Sequence, residues 1–327
     1  MSLLADAMQP SMMTGLFGVT GRLAFETIAD VVTSPQAAYD LEFDNATRSI
    51  LFDFRDPEFI VRATAADCCR FSSSSFQSLA SIREDTTGRD TLPWGVIKLY
   101  YAAFYSGHTI IRLLGDACSF FNSRQMAKIG AFGNAIGKVP TFNLDAGLYR
   151  CKIDATSTKL NCVKLSGSSG GSHEAFWGVF GERIGDVTSK ILSGPLTAID
   201  AQSVWAQLVA LDRLIGRYGT SYKWLSAVRN DVQYRHLHSV WFPSTIRKHD
   251  RDDLGRLASL WKSDPMIMNL DAERFGALGE FIVACAFIIG LSRVLLTRIA
   301  ERAPFGQQSF LQFGPFAFLN DRQIGAT

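Results

Sequence analysis

The sequence predicts a mainly α protein with a small α+β part at its N-terminus. Three observations lead there. Long apolar stretches at helical spacing recur at 94–114, 201–218 and 272–302. Alternation of apolar and polar residues is clearest between 36 and 64. The composition, 47% hydrophobic and 20% charged over 327 residues, is that of a chain that buries a large core.

Taken in order, residues 1–35 suggest one or two short helices around Gly15–Gly21. Tyr39, Leu41 and Phe43 alternate with polar residues, Asp44-Asn45-Ala46-Thr47 supplies turn chemistry, and Ser49 to Phe54 resumes an extended pattern. Phe59-Ile60-Val61 reads as a third strand. The serine run at 72–75 and the polar stretch from Arg83 to Asp90 mark a boundary, so 1–92 is expected to form an N-terminal part. Pro93 opens a helix over Trp94–Leu114 that Gly115 stops. In 116–160, Phe120-Phe121 suggests continued helix and Leu148 to Ile153 a strand. Residues 165–172 are a loop by composition, followed by helices over Glu174–Ile184 and Ala201–Tyr218; the second carries a stripe of Val204, Leu208, Leu211 and Ile215. A helix from about Tyr222 to Val240 ends before Pro243, and the last long helix spans Ala272–Arg302. The expected organisation is 1–92, a helical domain over 93–303, and a Phe- and Gly-rich tail, 304–327, packed back on the body.

Bulk properties exclude several classes. Thirty-three basic residues against 31 acidic ones give a net charge of +2, so nucleic acid could be held only by a local patch. The six cysteines are scattered, with no C-x-x-C pair, against a disulfide framework or structural zinc and in favour of a reducing compartment. Met1 to Gly18 lacks Lys and Arg and is a poor signal peptide. Phe281 to Ser292 is too short an apolar run to span a bilayer and reads as a buried helix. The expectation is a cytoplasmic protein with no membrane partner and no cofactor.

Chemistry concentrates in Arg229-Asn230-Asp231-Val232-Gln233-Tyr234-Arg235-His236. On one helix, seven residues make almost two turns, so Arg229 and His236 would point the same way. With Arg229 at zero on a helical wheel, Leu225, Val228 and Val232 fall near ~320°, ~260° and ~300°, His236 near ~340° and Gln233 near ~40°. The Arg–His pair therefore sits on the shoulder of the buried face, where a cation is costly without a carboxylate or a bound anion. Asn230, near ~100°, can donate to backbone or phosphate. From 221 to 251 there are six basic residues (Lys223, Arg229, Arg235, Arg247, Lys248 and Arg251) against Asp231 and Asp250. The local excess of positive charge suits a phosphate-binding patch.

This segment resembles the HEPN superfamily, whose nuclease members carry R-x(4–6)-H, often with Asn, Asp or His after the Arg. Arg229, Asn230 and His236 match at the long end of the spacing. The Trp94–Leu114 helix, with Tyr100-Tyr101-Ala102-Ala103-Phe104-Tyr105, is similar to the first long helix of such domains. The resemblance covers 93–303 and implies an antiparallel helical bundle. It also implies a metal-independent endoribonuclease, usually a homodimer with two motif helices facing each other across one cleft. Arg229 would orient the scissile phosphate, His236 would move the proton of the attacking 2′-OH, and Asn230 would position either group, leaving a 2′,3′-cyclic phosphate. Gln233, Arg235 and His108 are the residues expected to touch the RNA. A role as a toxin or in antiviral defence, with an antitoxin or defence-system partner, follows from the resemblance alone.

Simpler readings stand beside these. Arg229 could pair with an acidic residue on a neighbouring helix, His108 could be a satisfied core histidine in an apolar stripe, and His173-Glu174 reads as a helix N-terminus. His238 and Arg235 are expected at the surface. The rival function is a non-catalytic nucleotide- or partner-binding module, with 1–92 holding the partner.

Overall fold

The computed structural model describes residues 2–24, 26–80, 82, 92–165, 171–217, 222–241, 248–270 and 276–321. Its elements in chain order are helices α1 (Leu3–Met8) and α2 (Ile28–Val31), strands β1 (Tyr39–Asp44) and β2 (Ser49–Phe54), and helices α3 (Glu58–Ala80) and α4 (Leu92–Leu113). Strand β3 (Asp116–Phe121), helix α5 (Ser123–Ala135) and strands β4 (Gly147–Ile153) and β5 (Lys159–Lys164) follow. Helices α6 (Gly171–Ile191), α7 (Ala198–Ile215), α8 (Trp224–Tyr234), α9 (Lys248–Ser259), α10 (Gly276–Glu301) and α11 (Pro315–Asp321) complete the chain.

The fold class differs from the expectation. Instead of a mainly α bundle with a small α+β N-terminal part, the molecule is α+β: five antiparallel strands form one sheet in the order β1-β2-β5-β4-β3. Three of the five strands come from 116–164, inside the stretch assigned to the helical domain; the strand expected at Leu148–Ile153 is β4, while β3 stands where Phe120-Phe121 suggested helix. The sheet also crosses the boundary expected at 92/93, because Phe52 of β2 pairs with Leu160 of β5. Phe120-Phe121 lies in β3, an edge strand, where alternation puts Phe121 in the core and Phe120 outside. The β2–β5 pairing that joins the two halves of the sheet spans a sequence separation that no local pattern encodes.

Two more elements depart from the reading. Phe59-Ile60-Val61 opens α3 rather than a strand, and Ser72–Ser75 lie inside that helix. The serines are small enough to let α3 and α4 approach closely. The Ser72 hydroxyl donates to the Cys68 carbonyl at 2.6 Å, and Ser75 donates to the Ala102 carbonyl at 2.8 Å. Their polar atoms are satisfied without leaving the helix. The polar stretch from Arg83 to Asp90 lies outside the described residues, as does most of the 165–172 loop.

Helix α10 is the centre of the molecule. It is apolar on all sides, as a helix surrounded by protein must be. Its buried face includes every residue from Leu278 to Ser292. It is the one helix among the described residues long and apolar enough to cross a membrane, and 83% of its most apolar window is buried by the rest of the chain. The one carboxylate in that stretch, Glu280, is buried and paired with Arg217. Helix α4 lies against α10, with the rings of Tyr100 and Phe281 parallel at 6.2 Å. Near the C-terminus, α11 packs on α3, and Thr20 bridges to Ser309.

Candidate functional site

Helix α8 begins the site. Trp224, Leu225, Val228 and Val232 form its buried face, and Arg229 stands on the shoulder of that face. The helix ends sooner than its apolar period suggests. Arg235 is its C-cap, and His236, His238 and Ser239 all adopt left-handed backbone, at φ 53°, 65° and 55°. The exposed carbonyls of the last turn find partners from downstream: the Leu237 N–H donates to Asp231 at 3.0 Å and the Trp241 indole N–H to Val232 at 2.6 Å. No glycine announces this stop.

His236 therefore lies beyond the helix and does not share a helical face with Arg229. This corrects the two-turn geometry, which assumed helix through Val240. The exposed His236 ring stacks on Trp241, with centroids 5.1 Å apart and planes 29° apart. Trp241 in turn meets Trp94, half exposed, edge-on at 5.7 Å. The three rings make an open aromatic platform at the N-terminal end of α4. Trp94 and Tyr101 are seven residues apart on α4, so the platform lies about 10 Å along the helix from Tyr101.

Arg229 is 7% exposed. Its guanidinium lies over Tyr100 at 5.3 Å and Tyr101 at 5.8 Å from the ring centroids. Nη1 donates to Gln233 Oε1 at 3.2 Å, and Nε has no acceptor. Among the described residues no carboxylate pairs with it, so the neighbouring-helix ion pair expected on simple grounds is absent. Glu174 pairs with Lys223 at 3.3 Å, and Asp231 with the exposed Arg235 at 3.1 Å. Asn230 and Gln233 are half-buried on the same helix.

Beside Arg229 lies a polar cluster that the sequence reading missed. The Tyr100 hydroxyl is 2.9 Å from His173 Nδ1 and 3.3 Å from Ser226 Oγ, and it accepts from Trp177 Nε1 at 3.1 Å. The shorter contact gives the phenol proton to His173 Nδ1, which leaves the imidazole proton on Nε2. Burial and the nearby Arg229 charge push the His173 pKa down to about 4. It is a neutral ring at neutral pH, sandwiched against Phe104 at 4.2 Å. Burial raises the Tyr100 pKa, so the phenol remains a donor. His173 lies in the first turn of α6, as the reading of His173-Glu174 expected. Its ring turns inward, which a single sequence does not signal.

His108 is buried elsewhere, across Phe104 from His173. It has no contact with Arg229. His238, expected at the surface, is half-buried, with Nε2 buried and without a partner. Of the local basic patch, Arg247 and the side chain of Lys248 lie outside the described residues. No cluster of three or more His, Cys, Asp or Glu side chains is gathered for a metal among the described residues. What the arrangement offers is anion capture at a desolvated guanidinium, flanked by hydroxyl donors and a neutral imidazole, with an exposed histidine on an aromatic shelf nearby. No family model, no curated protein and no solved structure matches this chain.

Proposed function

We propose that the protein is a cytoplasmic, metal-independent endoribonuclease of the R-x(4–6)-H kind, acting on single-stranded RNA. The observation that carries the reading is Arg229: a buried cation with an unsatisfied Nε and no carboxylate partner among the described residues. A desolvated guanidinium in that state gains most from an incoming anion, and the phosphodiester is the anion its planar fork fits. The His236–Trp241–Trp94 platform supports a single-stranded substrate, because bases stack on exposed aromatic rings regardless of sequence.

In this mechanism Arg229 holds the scissile phosphate and neutralises charge that grows on its oxygens. Asn230 and Gln233 orient the guanidinium and the phosphate. His236, exposed to substrate, takes the proton of the 2′-OH as that oxygen attacks phosphorus. The 5′-oxygen leaves and takes a proton from solvent, and a 2′,3′-cyclic phosphate remains. His236 stands off the Arg229 helix, so a second copy of the chain completes the cleft by bringing its own His236 against the first copy's Arg229. A toxin or defence role suits such an activity.

The test is cleavage of single-stranded RNA by the purified protein in EDTA. Cleavage should fall at least ~100-fold in His236→Ala and in Arg229→Met. Arg229→Met should also stabilise the fold by about 1 kcal/mol or more, because it removes an uncompensated buried charge. Full cleavage by His236→Ala sinks the proposal.

A second reading is favoured by the same separation of His236 from Arg229: a non-catalytic module that binds an RNA or nucleotide phosphate at Arg229. Arg229-dependent RNA binding by a wild-type protein that never cleaves would select it.

A further inference from the structure

A second cavity, of about 380 Å³, opens on the other side of the Phe104–Phe176 wall, between α3, α4, α6 and the free edge of β3. Its size falls in the range that takes a small ligand. Its walls are aromatic: Phe71, Phe104 and Phe176 line it, and Phe120, 63% exposed, stands at the mouth. His108 is layered among them, parallel to Phe71 at 4.6 Å and to Phe176 at 3.9 Å.

Polar groups converge on this apolar slot. Asp67 is buried and neutralised twice, by Arg70 at 2.6 Å and Arg112 at 3.1 Å. Arg112 has its nitrogens committed: Nε to Asp67, Nη1 to His108 and Nη2 to the Cys118 carbonyl. Because a guanidinium can only donate, His108 Nδ1 must accept, and the ring proton sits on Nε2. That N–H has no partner among the described hydrogen bonds. Burial, and next the Arg112 charge, hold the His108 pKa well below its ordinary value, so the ring is neutral. Arg70 is bonded on one nitrogen and is partly exposed. Two arginines and one aspartate leave the cavity with one net positive charge. Ser119 lines the cavity at 7% exposure, and its hydroxyl is buried without any partner. A buried hydroxyl left unpaired costs free energy that a ligand acceptor or donor would recover.

From this geometry we infer that the α3–α4–β3 cavity is a binding site for a small aromatic anion, its ring against Phe120 and the edges of Phe104 and Phe176, its polar edge on Ser119 Oγ and His108 Nε2–H, and its negative group toward Arg70. Aromatic rings prefer such offset-stacked and edge-on neighbours, and the one net positive charge left by Arg70, Arg112 and Asp67 favours a single anionic group. The site shares the Phe104 wall with His173 but no polar contact with Arg229. It stands or falls apart from the ribonuclease reading. Two sources offer this chemistry, a purine mononucleotide and an aromatic carboxylate, and AMP and indole-3-acetate represent them.

The test is titration calorimetry of the full chain with each probe. Saturable one-to-one binding of at least one probe is expected, with Kd below about 1 mM. Ser119→Val fills the polar corner and Arg70→Gln removes the cation; each should weaken binding about tenfold or more. Phe120→Ala, at the exposed mouth, keeps the fold and should weaken binding several-fold through lost stacking. Binding of AMP alone, or of indole-3-acetate alone, supports the site and names its source. Absence of saturable binding by both probes up to ~10 mM overturns it. So does binding that survives both Ser119→Val and Arg70→Gln.

Discussion

Single side chains decide what this surface can do. Arg229 and His236 caught attention in the sequence as a spaced pair, and each proves distinctive for a different reason: one is buried without a counter-charge, the other stacked in the open. Burial of Arg229 was legible from the wheel, since Leu225, Val228 and Val232 fix the inward face. Its aromatic cradle was half legible, as Tyr100 and Tyr101 were visible on a neighbouring helix. His173 was not, because a histidine in a first helical turn next to a glutamate has an adequate explanation without a site. That residue carries a pH prediction. Its folded pKa of about 4 lies below the ordinary 6.5, so the unfolded chain binds the proton more readily. The stability it contributes is complete above about pH 6.5 and is lost as pH falls toward 4. His173→Gln should therefore flatten the fall in urea-unfolding free energy between pH 7 and pH 5. His108, depressed in the same direction, keeps part of the slope. An unchanged slope in the variant would mean that His173 binds its proton equally well in the folded and unfolded chain.

At the level of elements, the instructive case is the end of α8. Apolar periodicity tells where a helix can be buried, but its stop is set by who satisfies the last carbonyls. Here Trp241 and the Leu237 N–H do so, six to nine residues downstream of their acceptors. Three non-glycine residues in left-handed backbone within four positions accompany this turn. Such conformations are unfavourable for residues with a Cβ and concentrate at functional loops. His236→Gly should relieve the local strain and raise stability by about 0.5–1 kcal/mol while removing cleavage. Chemical denaturation beside an RNA-cleavage assay checks both halves. A variant that loses stability would show that the His236–Trp241 stack outweighs the backbone cost. The serine run of α3 teaches the same lesson in reverse: Ser72 and Ser75 looked like a break but serve a close helix contact.

Across the whole molecule, the long helices and the β1, β2 and β4 segments were legible, and the pairing that joins them into one sheet was not. Helices α4, α7 and α10 announce themselves through apolar stripes that local spacing encodes. The sheet depends on β2 meeting β5 more than a hundred residues later, and β5 offers only Leu160 and Cys162 as buried residues to advertise it. The 1–92 segment is consequently built into the body rather than set beside it. A fragment containing 93–327 should fail to fold cooperatively, because it loses β1, β2 and α3 and leaves β5 as an open edge. Insolubility, or loss of a cooperative thermal transition by circular dichroism, is the expected result. A soluble monomer with a sharp transition would instead mark a separable unit.

The central position of α10 also sets a timetable. It is the hydrophobic hub against which α1, α4 and α9 pack, yet it follows all of them in the order of synthesis. Until its residues leave the ribosome, the faces of α1 and α4 that pack on α10 stay uncovered. The nascent chain must then wait, compact but incomplete, with its stickiest surfaces open to chaperones. The α8 that carries Arg229 packs on both α4 and α10, so that site is set only once the hub arrives.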